Sequence, residues 1–306
     1  MRPSRERREL FVPVPQISSP GFLPCDLCGA GPPRPILESS GLDGPLVRCS
    51  SCGLFYAGAR TKGLAFGSDS PEIVTERVRH ANAGFQNLRL EEEHRLALLN
   101  ARSRLRIIRQ YKPGGRLLEV GCARGDFLSV ARADFDVTGV EPNPELARDA
   151  VRFAEIHAGV VETLPAAEFD AAVSFHVIEH VDSPSRFIHA MTQRVKTGGL
   201  VVVETPNIDS LPFKILRSRW RQFIPEHYYF FDPGTIRLLM ESNGLKVEAI
   251  LNVGKAASVE LILNRLSRYS RLFRPVDSAM RAAGLAGLTI QVNPRDIMLA
   301  IATKTS

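Results

Sequence analysis

The sequence predicts an α/β fold built on a seven-stranded, mostly parallel sheet, with a small cysteine-rich module ahead of it. Short apolar runs of strand length alternate with segments whose apolar residues recur at helical spacing, a pattern typical of parallel sheets. A glycine-containing turn directly follows the first run, and two CxxC pairs lie within the first sixty residues. The seven runs, in chain order, are RLLEV, DVTGV, AEIHAG, FDAAVSF, GLVVVET, LKVEAIL and DIMLAIAT.

Composition limits the class of protein. The chain has 306 residues, 44% of them hydrophobic and 24% charged, which suits one large globular domain and a small one. It has no apolar run of about 18 residues and its N-terminus lacks the apolar stretch of a secretory signal, so we expect a cytoplasmic protein. The net charge of +6 permits an acidic partner, but the basic residues form local clusters and do not favour nucleic acid. Composition says nothing about the oligomeric state.

Changes in residue pattern predict the domain boundaries. Residues 1–20 combine charge and prolines with little apolar periodicity, so a disordered basic N-terminus is expected. The cysteine pairs define a module over 21–60, and apolar residues at helical spacing predict a helical linker or lid over 71–110. The sheet-forming domain covers 111–306, with a helical insertion at about 255–290.

The segment LLEVGCARGDFL predicts a nucleotide-binding turn between a strand and a helix. Gly121 allows the backbone to turn sharply and approach a ligand, Gly125 allows a second close approach, and the next helix presents its N-terminal amides. Cys122 is interpreted as the small residue that the turn needs, in preference to a nucleophile. Glu141 follows Gly121 by twenty positions, at the end of the next strand, where a carboxylate can hold ribose hydroxyls.

The block from Arg116 to Thr205 resembles the class I S-adenosylmethionine (SAM) dependent methyltransferases, in the small-molecule branch that includes ubiquinone-type O-methyltransferases. The resemblance implies a Rossmann-like fold, SAM as cofactor and a small-molecule acceptor. Ala123 departs from the family, which often has a further glycine there. A dehydrogenase is the competing interpretation of the turn, and the GxxxG spacing and the later HVIEHV block disfavour it. The residues assigned to the cofactor are Glu119, Gly121, Cys122, Gly125, Glu141, Val161, Glu162 and His176.

The run FDAAVSFHVIEHV passes from a strand into polar residues, at the carboxyl end where parallel sheets bind ligands. For a hydroxyl acceptor, histidine suits the role of general base because its pKa lies near neutrality, and a neighbouring glutamate can orient its ring. His180 beside Glu179 is one candidate, and His227 in the stretch PEHYYFF is the second. The resemblance places His176 near the methionine part of SAM.

Two other interpretations of these side chains stay open, namely a divalent-metal site and plain structural hydrogen bonding. His176, Glu179, His180 and His227 offer nitrogen and oxygen donors from two loops. The motif of methyltransferases that act on base amino groups is absent, because the corresponding strand end reads SFHV. Oxygen or carbon acceptors are therefore favoured. The aromatic residues expected to line an acceptor pocket, with half of them packed inward, are Trp220, Phe223, Tyr228, Tyr229, Phe230 and Phe231.

The segments PCDLCGA and RCSSCGL predict a zinc ribbon. Cys25 and Cys28 form one pair, Cys49 and Cys52 the other, and each pair is followed by a glycine that lets the knuckle turn. Four thiolates fill a tetrahedral shell, so a structural zinc ion is expected. Zinc ribbons accompany nucleic-acid enzymes, and they also precede the methyltransferase domain in sugar C-methyltransferases.

The segment SVELILNRLSRYSRLFRPVDSAM predicts a lid or dimer helix, or a basic amphipathic helix that rests on the inner, anionic face of a membrane.

The main functional hypothesis is SAM-dependent methylation of an oxygen or carbon in a sugar, a glycan precursor or a phenolic metabolite. The alternatives are an RNA methyltransferase that uses the ribbon as a binding platform, and a non-enzymatic scaffold with the SAM fold.

Overall fold

The computed structural model describes residues 22–42, 44–59, 90–267 and 273–305. The predicted disordered N-terminus and the first part of the predicted linker lie outside these residues. The helices are α1 (Leu90–Tyr111), α2 (Asp126–Ala131), α3 (Pro144–Ala150), α4 (Pro184–Gln193), α5 (Leu211–Leu216), α6 (Pro233–Ser242), α7 (Val259–Ser267) and α8 (Phe273–Ala282). The strands are β1 (Arg34–Leu37), β2 (Leu46–Arg48), β3 (Phe55–Ala57), β4 (Gly115–Val120), β5 (Phe135–Val140), β6 (Glu155–His157), β7 (Phe169–Phe175), β8 (Val195–Pro206), β9 (Tyr229–Phe230), β10 (Leu245–Asn252), β11 (Lys255–Ser258), β12 (Thr289–Val292) and β13 (Ile297–Lys304).

The predicted seven-stranded sheet is confirmed, with the strand order β10-β13-β8-β7-β4-β5-β6. Strands β4 to β8 pair in parallel, and β13 runs antiparallel to both of its neighbours. Parallel strands bury both faces, so the central strands read as continuous apolar runs, as in FDAAVSF. The carboxyl ends of β4, β5, β7 and β8 therefore meet at one edge of the sheet.

Helices cover both faces of this sheet and produce three layers. On one face, buried residues of α4 and α6 such as Phe187 and Leu239 pack against strand residues such as Leu118. On the other face, α1 and α2 bury residues such as Leu105 and Leu128 against the sheet. The linker predicted over 71–110 is thus represented by α1, which packs against the sheet-forming part of the chain.

The cysteine-containing segment forms a second sheet with the order β1-β2-β3-β9. Its first three strands lie between residues 34 and 57, whereas β9 comes from the middle of the chain, directly after His227 and Tyr228. Phe55 pairs with Phe230 and Tyr56 with Tyr229. The sequence analysis did not predict this pairing, because two residues are too few to produce a periodic signal.

The insertion predicted to be helical contains α7 and α8, and it also contains a two-stranded antiparallel sheet that the sequence pattern did not predict. Lys255–Ser258 pairs antiparallel with Thr289–Val292. This small sheet and α7 pack on α1, where Ala256, Ala257 and Leu261 share an apolar cluster with Leu96. Among the described residues, none of the helices has both the length and the apolar character to cross a membrane.

Candidate functional site

The glycine turn lies between β4 and α2. Gly121 adopts a φ of +78°, and a Cβ at this position would lie 2.3 Å from a methyl carbon of Val177, so a larger residue does not fit. Gly125 has a φ of +82° directly before α2. Ala123 also lies in the left-handed region, with a φ of 46°. Glycine adopts this conformation without strain, whereas a Cβ adds strain of about 1 kcal/mol.

Glu141 closes the turn from the end of β5. One carboxylate oxygen accepts the Ala123 N–H and the other accepts the Asn143 N–H, both at 2.9 Å. Burial raises the pKa of Glu141, and these two amides oppose the shift. Each carboxylate oxygen has two lone pairs, so the residue can hold the turn and still accept from a further donor such as a ribose hydroxyl.

Glu119 supplies an unpaired acceptor at the same edge of the sheet. It is buried at the end of β4, and its Oε2 has no hydrogen-bond partner among the described residues. Burial raises its pKa well above the ordinary value. Leaving a buried polar atom unsatisfied is unfavourable, so the site suits a ligand that brings a positively charged donor, as the amino group of SAM would.

The remaining residues assigned to the cofactor differ in exposure. Val161 is buried in a short turn after β6, and its neighbour Glu162 is exposed. Cys122 is buried, and burial raises the pKa of its thiol, which keeps it protonated. A protonated, buried thiol is a poor nucleophile, so these observations are consistent with the packing role predicted for Cys122 from the sequence.

His176 lies at the end of β7 in a strained left-handed conformation, with a φ of 57°. Its Nδ1 is 3.1 Å from Glu179 Oε1, and its Nε2 is 2.9 Å from Glu204 Oε1. Lys255 Nζ lies 2.6 Å from the same Nε2. The ring is thus enclosed by two carboxylates and a lysine.

Glu204 is the centre of an ionic cluster that sequence analysis missed. Arg104 of α1 donates to both of its carboxylate oxygens, at 2.9 and 2.6 Å, and Lys255 lies 3.6 Å away. Burial raises the pKa of Glu204, but Arg104 and His176 outweigh burial and hold the pKa well below its usual range. Burial lowers the pKa of Lys255 to about 8, against the opposing effect of Glu204.

Of the residues in this cluster, only Glu204 has a position in the sequence that indicates a role in the site. Glu204 is an acidic residue that ends the apolar run GLVVVET, at the ligand-binding edge of a parallel sheet. Arg104 is one of several arginines on its helix, so the sequence does not single it out. Lys255 lies near the cluster because it begins β11, a strand of the unpredicted two-stranded sheet.

The structure brings together the three residues proposed for catalysis. Glu179 is buried and accepts from Thr205 Oγ1 at 2.9 Å, in addition to its contact with His176. The rings of His180 and His227 pack edge to face with 4.6 Å between centroids. His180 Nδ1 donates to the carbonyl oxygen of Glu226 at 2.8 Å, which leaves the lone pair on Nε2.

Burial disfavours the charged forms of His180 and His227. Burial lowers the pKa of His180. Burial, together with the nearby His180, lowers the pKa of His227 to about 3. Burial raises the pKa of Glu179, but the hydrogen bond from His176 outweighs burial and lowers the pKa below its usual range. The cluster therefore favours an ionised carboxyl group beside two rings whose charged forms burial disfavours.

The same cluster has a donor set for a divalent metal. Ligand atoms of Glu179, His180 and His227 all lie within 4.8 Å of one another. Two imidazoles and one carboxylate are a common ligand set for transition metals. His176, the fourth ligand expected from the sequence, lies outside this group, because both of its ring nitrogens already contact Glu179, Glu204 or Lys255.

The aromatic residues near His227 pack more completely than expected. The sequence predicted that about half would face an acceptor, whereas Trp220, Phe223, Tyr228, Tyr229, Phe230 and Phe231 are all buried. Trp220, Phe223 and Phe230 pack on one another at centroid distances between 5.2 and 6.1 Å. These three rings share a buried core with residues of the cysteine-containing sheet such as Leu46 and with Phe213 of α5, a packing that alternation along one strand does not reveal.

The four cysteines predicted to bind zinc form one cluster. Their sulfur atoms all lie within 4.8 Å of one another, with 3.4 Å between Cys25 and Cys52 and between Cys28 and Cys49. Tetrahedral zinc with Zn–S bonds of about 2.3 Å places its sulfurs roughly 3.8 Å apart, so the donor set fits the ion. Burial opposes ionisation of Cys49, but the Cys52 and Ser51 amides lower its pKa to about 7, which favours the thiolate.

Comparison with known proteins agrees with this site. The methyltransferase-domain family model matches residues 92–250, more than half of the chain. A ubiquinone biosynthesis O-methyltransferase of Xanthomonas axonopodis pv. citri is 30% identical over 156 residues, which cover 45% of this chain and 65% of that protein. The human mitochondrial ubiquinone biosynthesis O-methyltransferase is 26% identical over 177 residues, covering 49% of this chain and 47% of that protein. The chain thus spans about half to two thirds of the curated relatives it matches.

Among solved structures, a SAM-dependent methyltransferase of Archaeoglobus fulgidus is similar, with a TM-score of 0.48 and 22% sequence identity. The similarity covers 70% of this chain and 97% of that chain. The protein therefore belongs to the methyltransferase-domain family, on the match to residues 92–250. The class I SAM-dependent resemblance inferred from the glycine turn is confirmed.

Proposed function

We propose that this protein transfers a methyl group from SAM to an oxygen or carbon of a small molecule. The observation that carries the proposal is the buried carboxyl oxygen of Glu119, which has no hydrogen-bond partner in the described part of the chain, beside a glycine turn whose Ala123 amide donates to Glu141. This arrangement suits a cationic nucleoside ligand, and the family match supports the same cofactor.

The chain's own residues provide positioning and a proton acceptor. SAM, when bound, supplies an electrophilic methyl group on a sulfonium. Glu119, Gly121 and Glu141 hold the cofactor side, and most of the acceleration in such a displacement comes from alignment and exclusion of water. For a hydroxyl acceptor, His180 Nε2 takes the proton, since Nδ1 is engaged by the Glu226 carbonyl.

The proposed acceptor is a phenol, a sugar or a glycan precursor. The similar bacterial and human proteins are O-methyltransferases by name, which supports an oxygen acceptor.

We also propose a cytoplasmic enzyme that contacts a membrane surface through its insertion. Three apolar side chains there, Leu285, Leu288 and Ile290, are 40%, 53% and 48% exposed.

Replacing Glu141 with alanine is expected to weaken SAM binding about 10- to 150-fold, measured by calorimetry. The variant loses a charged acceptor and releases the Ala123 amide that shapes the turn. Glu168→Ala, at an exposed position before β7 and away from the glycine turn, is the matched control and retains affinity within about twofold. Wild-type affinity in a folded Glu141→Ala protein would remove this residue from the site.

We further propose one structural zinc ion per chain, held by the four cysteines. Serine in place of Cys49 is expected to abolish zinc retention, because hydroxyl is a poor substitute for thiolate. Cys122→Ser is the control and keeps the metal. Elemental analysis of protein purified without chelator checks both variants, and a metal-free wild-type chain would refute the site.

A further inference from the structure

The first cysteine knuckle is joined directly to the loop that carries Glu179 and His180. Asp26, between Cys25 and Cys28, accepts the Ser185 N–H through its carboxylate at 2.9 Å. The Asp26 carbonyl oxygen accepts from Ser185 Oγ at 3.2 Å. Ser185 is the second residue of α4, whose N-terminal amides have no partner within the helix. Asp26 therefore accepts one N-terminal amide of α4 from the cysteine module, beside the N-cap residue Ser183, at a position five residues after His180.

The second knuckle reaches the same loop through strand pairing. After Cys52 the chain enters β3, which pairs with β9, and the Ala57 N–H donates to the Tyr228 carbonyl oxygen at 2.8 Å. The Tyr228 N–H in turn donates to the Glu179 carbonyl oxygen at 2.8 Å. The Tyr229 hydroxyl donates to the Asp182 carbonyl oxygen at 2.9 Å. Backbone contacts thus run from β3 across β9 to the residues on both sides of His180.

Packing reinforces these two connections. Cys25, Cys49 and Tyr56 belong to the same buried cluster as Val181 and Tyr228. The glycine turn is held separately, because Gly121 and Cys122 donate to the Val140 carbonyl oxygen and Ala123 donates to Glu141. The cysteine module therefore contacts the side of the site with the histidines, and the cofactor turn is held by β5.

We propose that the metal-loaded cysteine module is a positioning element for Glu179, His180 and His227, and that Asp26 is the residue that couples the first knuckle to their loop. The inference rests on the proposed zinc site and on the proposed role of these residues. It extends both, because it assigns the zinc module a task in the acceptor half of the active site.

The test uses the zinc-loaded full chain with Asp26→Ala, the rescue variant Asp26→Asn, and Glu38→Ala as an exposed acidic control in the same module. Zinc content, SAM affinity, amide hydrogen exchange and the ring NMR signals of His180 and His227 are measured. For Asp26→Ala we expect one zinc per chain and SAM affinity within twofold of wild type. We expect at least tenfold faster exchange over 177–186, unchanged exchange over 119–126, and shifted histidine signals.

The other samples complete the test. Asp26→Asn keeps an oxygen that accepts the Ser185 amide, so its exchange and histidine signals should match wild type, as should those of Glu38→Ala. Stripping zinc from wild type should reproduce the Asp26→Ala pattern and extend it to 226–231. Faster exchange confined to 22–59, equal acceleration in all segments, or a zinc-free wild-type chain would overturn the inference. A wild-type chain that binds no SAM but shows the expected exchange pattern would refute the proposed function and leave the coupling supported.

Discussion

Replacing Arg104 with methionine is expected to lower the free energy of unfolding by about 3 to 5 kcal/mol. Arg104 donates both hydrogen bonds of a two-point contact to Glu204, whose side chain is only 2% exposed. Its guanidinium also lies 4.4 Å from the centroid of the Phe175 ring. Removing the arginine leaves a buried carboxylate with His176 and Lys255 as its remaining polar contacts, and these place the loss toward the lower end of the range.

Urea denaturation of matched variants checks this prediction. Arg106→Met, an exposed position on the same helix, should change the free energy of unfolding by less than about 0.5 kcal/mol. The double variant Arg104→Met with Glu204→Met should recover part of the stability, because the buried carboxylate is removed together with its main partner, and only Lys255, whose side chain is 34% exposed, loses a counter-charge. An Arg104→Met protein as stable as wild type would show that Lys255 and His176 alone compensate Glu204.

Replacing His180 with alanine is expected to lower turnover on a hydroxyl acceptor about 100- to 10,000-fold, while SAM affinity stays within about twofold. Because Nδ1 donates to the Glu226 carbonyl oxygen, Nε2 is the ring atom proposed to accept the proton. His227→Ala should cost less through base catalysis, because a pKa of about 3 makes that ring a weak base. Methyl transfer from labelled SAM to a panel of catechols and sugars measures the loss, with His189→Ala on the exposed face of α4 as control.

The pH dependence has a defined sign. The base must be unprotonated, so the rate falls only as pH drops through the pKa of His180. Burial lowers that pKa below the usual 6.5, which extends the active range toward acid.

A metal at Glu179, His180 and His227 predicts a different result. Chelation would then abolish activity and a divalent ion would restore it, with the ribbon zinc still bound. If neither variant slows turnover and chelators have no effect, both histidines are structural, and the acceptor is activated by its own acidity.

Local sequence pattern was sufficient for the main sheet, the glycine turn and the cysteine pairs. The runs RLLEV to DIMLAIAT form the predicted strands, because burial on both faces of a parallel sheet leaves a continuous apolar signature. The spacing within each CxxC pair and the distance from Gly121 to Glu141 encode their geometry over a few residues or one strand–helix–strand unit. That His180 and His227 border one cleft was expected from the family resemblance of the PEHYYFF stretch, and their rings pack edge to face.

Contacts between distant segments were decided only in the tertiary structure. Arg104 binds Glu204, which lies 100 positions later in the sequence, and Lys255 contacts the same carboxylate from a strand of four residues. Tyr56 pairs with Tyr229, which lies in a strand of only two residues. Each depends on the register and angle at which whole elements pack, and short strands carry too few residues to reveal a period. The inward packing of all six aromatic residues near His227 has the same origin, because the second sheet that covers them is completed by a distant part of the chain.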